Sequence, residues 1–162
     1  MKEDLIEQLY KRYHRELYIY ALSLAKDQYE AQDLVSETFF KALLTVDEET
    51  SYFKYWLFRV CKNLFLDKLR KNKHDRNINH IILSSKETPL DRIIEDQEKR
   101  DLFKAVMSLP ETYREVIVLY YYNSFSVREI SQQIGASESS IKVLLYRARK
   151  KLKIRLEEEN EL

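Results

Sequence analysis

The chain has 162 residues, with 28 Lys and Arg against 27 Asp and Glu, a net charge of +1 with histidine neutral. That length allows one medium domain or two small ones and excludes a large multidomain enzyme. A single glycine and two prolines leave almost none of the residues that punctuate hairpins and phosphate-binding loops, while 44% hydrophobic and 34% charged residues suit helices with one packed and one solvated face, so an all-α fold is expected.

Apolar residues recur at helical spacing from the start of the chain. Ile6, Leu9, Tyr13, Leu17, Tyr20, Ala21 and Leu24 form one stripe, and Ala31, Leu34, Val35, Phe39, Ala42 and Leu43 a second. Phe53, Trp56, Leu57, Val60, Cys61 and Leu64 form a third, in which Trp56 reads as core and Cys61 as a small buried hydrophobe. Three amphipathic helices over about residues 2–72 would close a small bundle, with residues 45–51 looping between the second and third. The pattern is then lost over residues 72–88, which end in Thr88-Pro89 and read as a flexible linker. Helices resume at about 90–108, 111–122, 127–134 and 138–158, with Pro110 suited to a first turn. Packing explains part of the run Tyr120, Tyr121 and Tyr122, with the phenol groups reaching outward. The expected organisation is a first domain over 1–73, a linker over 74–89, a second domain over 90–158 and an acidic tail over 159–162.

Charge falls in blocks. Residues 27–50 hold seven acids against Lys41 alone, net −6; residues 54–76 hold eight bases against Asp67 and Asp75, net +6; residues 126–156 hold eight bases against Glu129 and Glu138, net +6. Two basic surfaces and one acidic surface on a nearly neutral chain suggest that it meets a polyanion and a protein at different places.

The second basic block has internal order. Ile130 and Ile134 share one face of a short helix, Gly135 offers a turn position that tolerates positive φ, and Ser137 caps the next helix. In that helix Ile141, Leu145, Ala148 and Leu152 face inward, leaving Ser139, Ser140, Lys142, Val143, Tyr146 and Arg147 outward. This is a helix-turn-helix pattern, whose first outward residues can enter the major groove while Arg149, Lys150 and Lys151 reach phosphates. On the same pattern alone, a helical hairpin with a solvated basic face is the alternative.

Little else carries chemistry. Cys61 has no partner for a disulfide or a zinc cluster, which fits a reducing cytoplasm. His14, His74 and His80 are scattered, with no partner at metal or triad spacing. Asp33 and Glu37, one turn apart, lack a third ligand or a nucleophile, and by pattern alone read as a solvated face. The start is charged throughout, without a signal peptide's apolar stretch, and the longest apolar run, residues 116–122, is far short of the about 20 residues a membrane span needs. No enzyme, cofactor, metal, export or membrane insertion is expected.

Four ordered blocks then resemble a family: DLVSETFFKAL from Asp33, FKYWLFRVCKNLFLDKLRK from Phe53, LPETYREVIVLYYYNSFSVREI from Leu109, and the helix-turn-helix. Together they are similar to the extracytoplasmic-function sigma factors of bacterial RNA polymerase, over nearly the whole chain. The resemblance implies two small helical domains, a three-helix region two and a helix-turn-helix region four. It implies that the second helix docks on the coiled coil of the largest subunit of core RNA polymerase through Asp33, Ser36, Glu37 and Phe40, with Ser36 where relatives often have Gln. The third helix would hold the minus-ten promoter DNA through Arg59, Lys62, Asn63, Arg70 and Lys71. Region four would face the minus-thirty-five element with Ser139, Ser140, Lys142, Val143, Tyr146 and Arg147; Val143 and Leu144 stand where many members have Ser and Arg. In the loop 45–51, Asp47, Glu48 and Glu49 replace the usual Gly and aromatic, so base preference at the melted element is expected to be this chain's own. An anti-sigma factor is a further implied partner. The competing function, a free-standing helix-turn-helix regulator bound to an operator, would need a ligand or dimer domain in the first half, where this chain has a basic helix beside an acidic one.

Overall fold

The computed structural model describes residues 2–46, 48, 51–72 and 94–160, and every regular element among them is helical. The chain divides into two compact units, with the boundary between residues 83 and 84. The stretch 74–89 read as a linker lies outside the described residues, as do Asp47, Glu49 and Thr50 of the loop and the last two residues of the acidic tail.

The first unit is the expected three-helix bundle: α1 (Lys2–Ala25), α2 (Gln28–Thr45) and α3 (Phe53–Lys71). Twenty-four residues without Gly or Pro let α1 run unbroken until Lys26, which adopts φ 58° and closes the helix by donating its N–H to the Leu22 carbonyl at 2.8 Å. Asp27 then caps α2, its carboxylate accepting from the N–H groups of Tyr29 and Glu30 at 2.8 and 3.2 Å. Leu9, Leu17, Tyr20 and Leu22 of α1 close on Leu34 of α2 and Leu57 and Phe58 of α3, with the Tyr20 and Phe58 rings 5.2 Å apart. The buried row of α3 is Phe53, Leu57, Phe58, Cys61 and Phe65, which corrects the expected stripe: the helix is turned so that Phe58 and Phe65 enter the core, while Val60 and Leu64 are only half-buried. Trp56 is likewise corrected from core to half-buried, packed beside Phe53 with ring centroids 5.9 Å apart.

The second unit holds α4 (Gln97–Met107), α5 (Glu111–Ile117), a π-helical turn (Val118–Tyr122), α6 (Val127–Ile134) and α7 (Glu138–Asn160). The helix expected from residue 90 begins, among the described residues, at Gln97: Asp96 is extended and its carboxylate accepts from the Glu98 N–H at 2.8 Å, an N-cap that fixes the start. Pro110 lies one position before the first turn of α5, as its N-cap, with ψ 148°. The helix expected to run unbroken to Tyr122 instead widens, the Asn123 N–H reaching back five residues to the Val118 carbonyl at 3.0 Å. Phe103, Met107, Leu109, Ile117, Ile130, Ile141, Leu145 and Ala148 form the core. Arg114 is buried within it, and its guanidinium donates to the Leu109 carbonyl at 3.2 Å. Burial lowers the Arg114 pKa, while the neighbouring carboxylates Glu111 and Glu115 act in the opposite direction.

Candidate nucleic-acid interface and docking face

The outward face of α2 follows from what the helix buries. Ala31, Leu34, Val35, Thr38, Phe39 and Ala42 point into the bundle, so Asp33, Ser36, Glu37 and Phe40, at offsets of three, four and seven, emerge together on one exposed stripe. Phe40 is 59% exposed and Leu44, the next residue of the stripe, 65%. Leu44 escaped the sequence reading although its spacing from Phe40 places it there. Glu37 is not only outward: its carboxylate pairs with the Lys68 ammonium of α3 at 2.9 Å. The face thus combines a carboxylate pair with two uncovered apolar side chains, a combination suited to contact with protein.

On α3, Arg59, Asn63, Arg70 and Lys71 are exposed and Lys62 is half-buried. Arg59, Asn63 and Arg70 follow one another at offsets of four and seven along one side, with Lys62 adjoining; Lys71 lies further round, at the end. Lys68, Arg70 and Lys71 crowd the last turn, where they also complement the helix dipole. Arg70 pairs with Asp67 one turn back. Behind this face Cys61 is fully buried, its thiol pushed up to about 12 by burial, with a hydrogen bond shared with Thr38 acting the other way. It is a packing residue, as its stripe indicated.

The helix-turn-helix is built from local signals that all point one way. Ser126 and Glu129 form a reciprocal capping box at the start of α6, with bonds of 3.1 and 2.8 Å. Gly135 ends α6 at φ 82°. The Ser137 hydroxyl accepts from the Ser140 N–H at 3.1 Å and opens α7. Ile141, Leu145 and Ala148 are buried and Leu152 half-buried, leaving Ser139, Ser140, Lys142, Val143, Tyr146 and Arg147 all exposed on the other side.

Arg149, Lys150 and Lys151 are exposed too, each beside a tyrosine. Arg149 donates its Nε–H to the Tyr121 hydroxyl at 2.6 Å and lies 5.5 Å from the ring centroids of both Tyr120 and Tyr121. Lys150 lies 5.0 Å from the Tyr146 centroid and Lys151 5.9 Å from that of Tyr113. The π-helical turn is what spreads the tyrosine run: Tyr120 and Tyr121 reach the surface, while Tyr122 packs edge-on against Phe103 at 5.3 Å and is pushed up to about 12 by burial. A sequence carries no direct sign of this arrangement, because a turn one residue wider than an α-helix depends on what packs around it. Among the described residues no group of three or more His, Cys, Asp or Glu could hold a metal, and no helix is long and apolar enough to cross a membrane.

Comparison with known proteins gives this geometry its family. Residues 9–74 match sigma-70 region 2 and residues 99–152 match sigma-70 region 4. The ECF RNA polymerase sigma factor SigM of Bacillus subtilis is 34% identical over 151 residues, covering 91% of this chain and 93% of that protein. Among solved structures, the sigma factor RpoE in complex with the anti-sigma factor NepR from Bartonella quintana is similar with a TM-score of 0.73 and 28% identity, over 93% of this chain and 96% of that one. CnrH, solved with the cytosolic domain of CnrY, has a TM-score of 0.65 and 25% identity, over 94% and 87%. A region 2 match in the first half removes the ground for a free-standing regulator, which would need a ligand or dimer domain there. With both sigma regions present in order and a relative matched almost end to end, the chain belongs to the extracytoplasmic-function (ECF) RNA polymerase sigma factors, alternative sigma factors that bind core polymerase and direct promoter-specific transcription initiation.

Proposed function

We propose the following division of labour among this sigma factor's surfaces. The α2 stripe of Asp33, Ser36, Glu37 and Phe40 docks on the coiled coil of the polymerase's largest subunit. The α3 residues Arg59, Lys62, Asn63, Arg70 and Lys71 hold the minus-ten element. Ser139, Ser140, Lys142, Val143, Tyr146 and Arg147 of α7 enter the major groove at the minus-thirty-five element, with Arg149, Lys150 and Lys151 on flanking phosphates. Arg149 suits that task because its bond to Tyr121 uses one of five guanidinium donors and fixes the direction of the rest. The chain acts as a DNA-binding regulator, not an enzyme, in the cytoplasm where polymerase and promoter meet. Its organisation is region two over 1–73, a linker over 74–89, region four over 90–158 and an acidic tail. An anti-sigma factor is a further partner, supported by the complex of RpoE with NepR.

The observation that carries this reading is the outward row of α7: Ser139, Ser140, Lys142, Val143, Tyr146 and Arg147 are all exposed opposite the buried Ile141, Leu145 and Ala148. In vitro transcription with bacterial core polymerase, on promoter libraries randomised at each element, tests it. Arg147→Ala should cost about 1–3 kcal/mol at its base pair and relax choice at the minus-thirty-five element alone. Arg59→Ala should weaken the minus-ten contact alone. A minus-thirty-five preference unchanged by Arg147→Ala would overturn the assigned groove face.

A further inference from the structure

We infer that Val143 is a specificity-determining residue that reads the C5-methyl group of a thymine in the minus-thirty-five element. The inference deepens the proposed reading of α7 and rests on it. Single exposed apolar side chains are ordinary on protein surfaces; what sets Val143 apart is where it stands. At about 100° per residue, it lies about 170° from the centre of the buried row Ile141, Leu145, Ala148 and Leu152, so it is the crest of the helix. Ser139 and Arg147 flank it within about 40° and Ser140 and Tyr146 within about 60° on the same geometry. A helix that enters a major groove turns its crest to the groove floor, where base edges lie.

The chemistry of that floor is mostly polar. Guanine presents N7 and O6, adenine N7 and the N6 amino group, cytosine its N4 amino group; thymine alone adds an apolar group, the C5-methyl. Val143, 45% exposed, has nothing to offer a donor or an acceptor, and held over a polar edge it would strip that edge of water without replacing the bond. Against a methyl group it loses nothing. Its β-branch leaves essentially one side-chain rotamer in a helix, so the contact needs little further ordering.

The other exposed apolar groups of α7 are placed for different work. The Tyr146 ring lies under the Lys150 ammonium at 5.0 Å. Ile154, also exposed, is eleven residues further on, about 16 Å along the axis and beyond the first turns that enter the groove.

The test uses holoenzyme assembled from the full chain and core polymerase. A promoter is selected from a library randomised at the minus-thirty-five element, and each thymine of the selected element, on either strand, is replaced in turn by deoxyuridine, which lacks only the methyl. One replacement should lower holoenzyme affinity about fourfold, the worth of burying one such group. Val143→Ala, whose side chain is shorter, should lose affinity on the native promoter and lose most of its sensitivity to that replacement. Arg147→Ala should keep the deoxyuridine sensitivity. A selected element without thymine, no deoxyuridine effect, or an undiminished effect in Val143→Ala would overturn the inference while leaving the groove assignment standing. A library with no base enriched would overturn the assignment of α7 to the element, and the inference with it.

Discussion

The two units handle their surface charge in different ways. In the first, the cations of α3 meet opposite charges, Lys68 with Glu37 at 2.9 Å, Lys54 with Glu16 at 3.0 Å and Arg70 with Asp67, although Arg12 of α1 lies 5.9 Å from the Tyr13 ring centroid. In the second, cations meet neutral rings, Arg149 with Tyr120 and Tyr121, Lys150 with Tyr146 and Lys151 with Tyr113, while Lys142 and Arg147 have no ion pair among the described residues. The difference has a physical consequence. A salt-bridged cation is oriented but its field is largely cancelled, whereas a cation on an aromatic face is oriented and keeps its whole charge for a phosphate. On the proposed assignment, the bases of α7 are therefore arranged to draw DNA from a distance, and the paired charges of unit one to fit their surfaces at contact.

The largest effects would come from breaking the cores that hold these faces. Phe58 in the first unit and Phe103 in the second are both completely buried. Truncating either to alanine should cost about 3–5 kcal/mol, a large part of the stability of a unit this small. Because each phenylalanine belongs to its own unit's core, Phe58→Ala should strip amide-exchange protection from α1, α2 and α3 and leave α4 to α7 protected, and Phe103→Ala should do the reverse. Loss of protection in both units from either change would show that they fold as one, and the contrast drawn between them would lose its meaning.

A smaller effect on stability, with a large one on binding, is expected at the ion pair between α2 and α3. Reversing Asp33 and Glu37 to Lys should abolish co-purification with core polymerase. The fold should lose little, since an exposed pair contributes about 0.2–1 kcal/mol, although the ammonium introduced at position 37 would then repel that of Lys68. Adding Lys68→Glu restores an ion pair of opposite polarity, and thermal stability should recover while polymerase binding stays lost. Binding that recovered with the pair would mean that Glu37 acts by bracing α3 and not by touching the partner.

How much of this was legible depended on whether the signal was local. The helix-turn-helix could be read because Gly135, Ser137 and the row Ile141, Leu145 and Ala148 each specify the same structure without help from elsewhere. The α2 stripe could be read because polar and apolar positions separate cleanly. In α3 they do not: Phe58, Leu64, Phe65 and Leu66 put apolar groups on nearly every side, so periodicity gave the helix but misjudged its rotation, and Trp56 went with it. The π-helical turn, the burial of Arg114 and the clasp of Arg149 by Tyr121 are tertiary outcomes, set by residues distant in sequence. The pairing of Glu37 with Lys68 was hidden for the same reason, since thirty-one positions separate two charges that a folded bundle brings together.

The smallest expected effect lies in two turns that ask the same of the backbone and receive different residues. Lys26 closes α1 at φ 58° and Gly135 closes α6 at φ 82°, each donating its N–H four residues back, to Leu22 and Ser131 at 2.8 and 2.9 Å. For an L-residue with a Cβ the left-handed region costs about 1–2 kcal/mol, and glycine escapes that cost. A Cβ at position 135 would meet nothing within 4 Å, so Gly135→Ala is a purely conformational change. It should lower the stability of the second unit by about 1 kcal/mol, the left-handed strain being partly offset by the smaller entropy of the unfolded chain. Lys26→Gly relieves strain in the first unit but enlarges the entropy its unfolded chain must lose, so the net gain should stay below about 1 kcal/mol. Denaturant titrations of the two variants, followed by exchange protection in each unit, give both signs. A stabilising Gly135→Ala would mean that the turn between α6 and α7 relaxes out of the left-handed region in solution, and with it the angle at which α7 presents its outward row.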